Sequence, residues 1–414
     1  MQRLPNVTQT IVIVISLAWL VASSACAADS PEKKAALMKQ RCPKPTEFAL
    51  VFSFGYAGDG MPKDDAKFEG LLKKIKEHGF NVIHTSYTDK RLELCKKHGV
   101  KLMVDLLDIE NHHVYKSADK AKALAAKLKG NPAVWGYNIW NDHTRGREAG
   151  RERDINTVRK WDPTHPAYSG GCANDNTRVY TNADVMGYYD FHWERGIHLH
   201  FPHLLLFLEG SRKHDSYPYT WLSWRPFKYS DHYHRSLWSA NTTIACGFKG
   251  IMWFLGSGFM DKNSLEWKPG KMHVLKVHKE IVPVLGEMMK LGLPTAVYST
   301  KITKTNENKP LPGGKKEMMP PGLENRGFAK DFWIQPQSGE FVMGVYKDDK
   351  KRDAIFVANH NSQAPQTVKL KLGKPVKASM FNRKEGKWQN LAVKDGSVSF
   401  ELGKAAGELL RFEG

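Results

Sequence analysis

From Phe48 to Leu291 the chain repeats one pattern: a short apolar run, a turn, a helical stretch, and another apolar run. Residues 48–54, FALVFSF, are almost uninterruptedly apolar and are followed by Gly55, the pattern of a strand buried on both faces. Residues 64–78 then place Phe68, Leu71, Leu72 and Ile75 at helical spacing and stop at Gly79. The pattern predicts strands at 81–85, 101–107, 133–139, 167–171, 184–190, 217–224 and 250–255. Helical periodicity marks 89–98, 117–129, 145–160, 197–214, 231–246 and 272–291. Strands alternating with helices argue a parallel sheet, because parallel neighbours need a crossover. Eight strands in about 250 residues fit the size of a closed (β/α)8 barrel.

Beyond Leu293 the pattern changes. Residues 294–330 are rich in Lys, Pro, Asn and Gly and read as a connector. From 331 to 414, short runs such as FVMGVY, AIFVANH, TVKLKL and SVSFEL alternate with turn signals at Asp348-Asp349, Glu385-Gly386 and Asp395-Gly396. These predict a small antiparallel β-sandwich. The expected fold is therefore α/β, a TIM barrel over 45–293 followed by that sandwich.

The first residues predict a compartment. Arg3 leads into an apolar run from Ile11 to Val21, and Ala25-Cys26-Ala27 supplies a small-residue cleavage site, so residues 1–27 read as a secretory signal peptide. The run is shorter than the roughly 20 residues that span a bilayer, so stable membrane insertion is not expected. A secreted or periplasmic protein is expected, with lipid attachment at Cys26 the weaker reading. Cys42, Cys95, Cys172 and Cys246 could form two disulfides there, but Cys95 and Cys246 lie in apolar helical patterns and read better as small buried hydrophobes. The charge of +19 is spread in pairs such as Lys73-Lys74 and Lys350-Lys351, and no nucleic-acid-binding signature accompanies it. A solvated lysine surface and attraction to an acidic polymer are the two readings left.

Residues 131–143, NPAVWGYNIWNDH, carry the chemistry expected of this chain: a buried strand followed by Asn141, Asp142 and His143. C-terminal strand ends form the active face of such a barrel. The stretch resembles the fourth-strand signature NPAVxGYxxxDEP of barrel glycoside hydrolases of the family 42 β-galactosidase type. GFKGIMWF and DVMGYYDFHW resemble the final and sixth strands of the same group. The resemblance implies a glycosidase acting on a poly- or oligosaccharide, with Asp142 in the place of the acid/base glutamate. Here the triplet reads Asn-Asp-His, and Tyr219 to Ser223 has no acid where that group carries its nucleophile.

A glycosidase needs two carboxyl groups across the scissile bond. Asp142 is the candidate acid, and Asp190 and Glu194, just past the sixth strand, are candidate partners. Asn141, His143, Trp140, His192, Trp193, Trp224 and Asp105 are candidate sugar-binding residues, because flat rings suit pyranose faces and polar tips bind hydroxyls. Asp108 and Asp261 also follow strands, whereas Glu209 lies in a helical run. Trp221 and Trp253 fit either the cleft or the barrel interior. His198, His200 and His203 lack a third partner at fixed spacing, so no metal and no cofactor is expected. The substrate is expected to be a carbohydrate, with a sulfated or uronic-acid polymer suggested by the charge. The rival is a glycan-binding protein on a barrel that has lost its acid pair.

Overall fold

The computed structural model describes residues 42–54, 60–106, 118–140, 148–172, 183–190, 197–223, 231–254, 256–300 and 327–414. Eight parallel strands close a barrel in sequence order: β1 Ala49–Phe52, β2 Val82–Thr85, β3 Lys101–Asp105, β4 Val134–Trp140, β5 Ala167–Cys172, β6 Val185–Asp190, β7 Tyr217–Ser223 and β8 Gly250–Phe254. Outside it lie α1 Asp65–Glu77, α2 Asp89–His98, α3 Ala118–Leu128, α4 Glu148–Trp161, α5 Ile197–Lys213, α6 His232–Ala245 and α7 His273–Lys290. The first two helices start where short polar side chains satisfy free backbone donors: Asp64 accepts from Lys67 N, and Thr88 from Arg91 N. Gly99 ends α2 in the left-handed region, at φ 60°, which glycine adopts without strain. No described helix is long and apolar enough to cross a membrane.

Strand residues alternate between the helices and the barrel interior. Leu50, Phe52, Ile83, Leu102 and Val104 pack outward, while Val51, Val82, Met103, Trp135, Tyr168, Val185, Tyr219, Trp221 and Met252 fill the inside. Two glycines make room for the interior tyrosines. A Cβ on Gly187 would run into the Tyr168 ring, and one on Gly250 into the Tyr219 ring.

Trp221 lies inside the barrel, where its indole N–H donates to the Tyr168 hydroxyl. Trp253 is outside the cleft: it faces the helices and donates from Nε1 to His278 Nε2 on α7 at 2.6 Å. Cys42, Cys95 and Cys246 are buried free thiols, and burial pushes Cys95 up to about 12.

The C-terminal part is two antiparallel sheets. One has the order β10-β13-β17-β16 (Ile334–Ser338, Gln366–Leu372, Ser397–Leu402, Val393–Lys394). The other has the order β15-β14-β18-β12-β11-β9 (Lys387–Leu391, Lys377–Asn382, Gly407–Glu413, Asp353–Asn359, Phe341–Lys347, Ala296–Ser299). Strand β9 thus lies inside the stretch that reads as a connector. In β11 and β12, Phe341, Met343, Val345, Ile355 and Val357 face the first sheet, while Val342, Tyr346, Ala354, Phe356 and Ala358 join the core of the barrel helices. Burial on both faces accounts for the unbroken apolar runs. The Tyr346 hydroxyl reaches the carbonyls of Ile244 and Ala245, at 2.8 and 3.0 Å, at the end of α6. Ile244 O also accepts from Gly247 N at 2.9 Å, just past the helix.

Candidate functional site

Polar side chains gather inside the barrel at the C-terminal ends of its first four strands. Ser53 follows β1, His84 lies in β2, Asp105 ends β3 and Asn138 lies in β4. The first three continue the inward alternation Val51-Ser53, Val82-His84 and Met103-Asp105. Asn138 arrives there by a different route. The β3–β4 register pairs Leu102 with Val134 but Met103 with Gly136, so Trp135 is an extra residue on β4. Such a bulge reverses the facing of the residues beyond it. Trp135 and Asn138 both point inward, while Tyr137 turns outward and its hydroxyl donates to Asp162 at 2.6 Å.

Asp105 Oδ1 is the hub. His84 Nε2 lies 2.5 Å from it and Asn138 Nδ2 2.6 Å. The other ring nitrogen of His84, Nδ1, faces Ser53 Oγ at 3.2 Å. The four residues are buried, at 0–4 % exposure. Two acceptors in this cluster, Asp105 Oδ2 and Asn138 Oδ1, are buried without a hydrogen-bond partner among the described residues. Buried polar atoms are normally paired, so these two acceptors are an exception within the cluster.

Strands β5 and β7 bring aromatic rings into the interior. Trp221 from β7 meets His84 edge-on, with ring centroids 6.5 Å apart, and bonds Tyr168 from β5. Among the described residues the buried interior aromatics of β5–β8 are Tyr168 on β5 and Tyr219 and Trp221 on β7, while β6 and β8 contribute Val185 and Met252. Another His–Asp pair, His165 with Asp162 at 2.7 Å, lies just ahead of β5, at the opposite end of the barrel. Burial opposes a charge on Asp162, but bonds from His165, Thr164 and Tyr137 outweigh it and hold the carboxyl down to about 2. That end of the fold serves stability.

Of the residues singled out from sequence, Asp105 is in this cluster. Trp140 and Asp190 end β4 and β6, and their side chains lie outside the described residues. Asn141, Asp142, His143, His192, Trp193, Glu194, Trp224 and Asp108 also lie outside them. Asp261 builds a turn, its Oδ1 accepting from Asn263 N and Ser264 N at 2.9 and 2.8 Å. Glu209 lies on α5, half-buried. Tyr188 faces outward and packs on Phe207 with centroids 4.4 Å apart. His84, Asn138 and Ser53 escaped the sequence reading. The signal for His84 and Ser53 is a polar residue at the last inward position of an otherwise apolar strand. Among the described residues no group of three or more His, Cys, Asp or Glu could hold a metal ion.

No protein-family model matches the chain, and no curated protein matches its sequence. Among solved structures, it is similar to a family 27 β-L-arabinopyranosidase from Geobacillus stearothermophilus. The match covers 92% of this chain and 98% of that one, at 10% identity and a TM-score of 0.52. The likeness is one of fold. A family 5 glycoside hydrolase from Bacteroides vulgatus covers 88% of this chain and 89% of its own, at 11% identity and a TM-score of 0.49. An Anoxybacillus α-amylase covers 90% and 99%, at 10% and 0.48. The arabinopyranosidase is of family 27, and the finer likeness to family 42 rests on the sequence motifs alone.

Proposed function

We propose that this chain is a secreted glycoside hydrolase acting on a poly- or oligosaccharide. The observation that carries the reading is the buried carboxylate Asp105, fixed through Oδ1 by His84 and Asn138 with Oδ2 left to accept. A sugar hydroxyl entering from the C-terminal end of the barrel would donate to Asp105 Oδ2 or Asn138 Oδ1. Asp142, two residues past β4, is the general acid of this reading, with Asp190 or Glu194 as the second carboxylate. Asn141, His143, Trp140, His192, Trp193 and Trp224 complete the sugar site from the loops. The fold neighbours support the reaction class by analogy. An anionic polysaccharide is the finer substrate proposal, supported by the charge of +19.

The test is reducing-sugar release from neutral, sulfated and uronic-acid polysaccharides by the native protein, Asp142→Asn and Asp105→Asn. Release that falls at least about a hundredfold in Asp142→Asn supports a general acid there. One observation favours a second reading, a glycan-binding protein: β7, Tyr217–Ser223, ends without a carboxylate. Retention on a polysaccharide with no release by the native protein would establish that alternative.

A further inference from the structure

We propose that the cleft between the first and last barrel loops binds an anionic substituent of the glycan, a sulfate ester or a uronate carboxylate, through Lys63, Lys67 and Lys262. The proposal rests on the carbohydrate reading above and adds to it a site outside the buried cluster. Gly60 to Asp64 belongs to the segment after β1, and Lys262 and Asn263 to the segment after β8. β1 and β8 are paired neighbours, so both segments rise from C-terminal strand ends, on the same face as Asp105. Between them lies a cleft of about 450 Å3, room for a sugar unit with its substituent.

Several lysines around the first three strands have acidic partners: Lys74 with Glu266, Lys90 with Glu93, Lys97 with Glu69, Lys101 with Glu47 and Lys127 with Asp89. The ammonium groups of Lys63, Lys67 and Lys262 make no ion pair or side-chain hydrogen bond among the described residues, although all three line one concavity. The carboxylate lining it, Asp64, already accepts from Lys67 N at 2.8 Å as the cap of α1. Three ammonium groups against one engaged carboxylate give a positive field in a concave wall, which concentrates anions. Asn263 adds a neutral amide. Lysines act as point charges without the fixed fork of arginine, so the cleft selects for negative charge more than for the shape of sulfate or carboxylate.

The experiment is affinity electrophoresis of the whole protein through gels holding a sulfated galactan, polygalacturonate or a neutral galactan. Three proteins are compared: the native chain, a cleft triple variant (Lys63→Ala, Lys67→Ala, Lys262→Ala), and a control triple with the same charge loss on the C-terminal sheets (Lys369→Ala, Lys377→Ala, Lys394→Ala). All six lysines are exposed, so both triples are expected to fold. The expected result is native retardation by one or both anionic polymers and not by the neutral one. That retardation weakens about tenfold or more in the cleft triple and less than about twofold in the control. Retardation by the sulfated polymer alone assigns a sulfate, and by polygalacturonate alone a carboxylate. Equal loss in both triples, equal retardation by the neutral polymer, or none by either anionic polymer overturns the proposal. Binding is read here without turnover, so a protein that binds but never cleaves refutes the hydrolase and leaves the anionic site standing.

Discussion

Asn138 Nδ2 donates to Asp105 Oδ1 at 2.6 Å across two paired strands, and it does so because an extra residue in β4 turns Asn138 into the barrel. Asp105→Asn keeps an acceptor for His84 and Asn138 but removes the charge. It is expected to lower activity, or glycan retention if the protein only binds, about tenfold or more, with little change in melting temperature. Asp105→Ala strands both donors and should also destabilise the fold by about 2–5 kcal/mol, measured by urea unfolding.

Stability should fall with acid through His278. Its Nε2 accepts from Trp253 and its Nδ1 donates to the carbonyl of His78, a pairing that only the neutral ring can make. Burial pulls it down to about 4 from the ordinary 6.5. The unfolded chain therefore takes up a proton that the folded one refuses. The contribution is present above pH 6.5, declines as pH falls, and is lost below 4, a change of about 3 kcal/mol. Urea unfolding of the native chain and of His278→Gln from pH 7 to 4 checks this. The native curve should fall more steeply by that amount.

Gly187→Ala should destabilise by at least about 1–3 kcal/mol, since its Cβ would meet the Tyr168 ring in a filled barrel. The cost should shrink in a Tyr168→Leu background. Equal costs in both backgrounds would show that the ring is not the obstacle.

Tyr346→Phe removes the donor that reaches the end of α6 and should cost about 1–2 kcal/mol in a thermal or urea melt. The same melt should remain a single transition.

Much of the fold can be read from the sequence because its apolar periods are strong. Helix α2, Asp89–His98, falls where the polar start and Gly99 predict it, and the eight apolar runs become the eight strands. The polar cluster is less legible for a geometric reason. Plain alternation from Trp135 would put Tyr137 and Ile139 inside and Asn138 among the helices, and nothing in the letters marks the bulge that reverses them. Trp253 misleads similarly: an aromatic near a strand end suggests a cleft, but its parity sends it to His278. Asp105 can be found because it ends an apolar strand, whereas His84 within VIHT looks like an ordinary strand residue until its ring is seen against that carboxylate.

The sheet containing β11 and β12 gives one face to the sandwich and the other to the barrel helices. It is therefore not a detachable accessory module. Cut away at the connector, it would present Val342, Tyr346, Phe356 and Leu409 to water as one sticky plane, and the stripped barrel would expose the matching surface of α6. Grafting this domain onto another enzyme, or swapping in a foreign one, would require redesigning that plane. Insertions and deletions should be tolerated far better in the smaller four-stranded sheet, where β13 exposes every second residue.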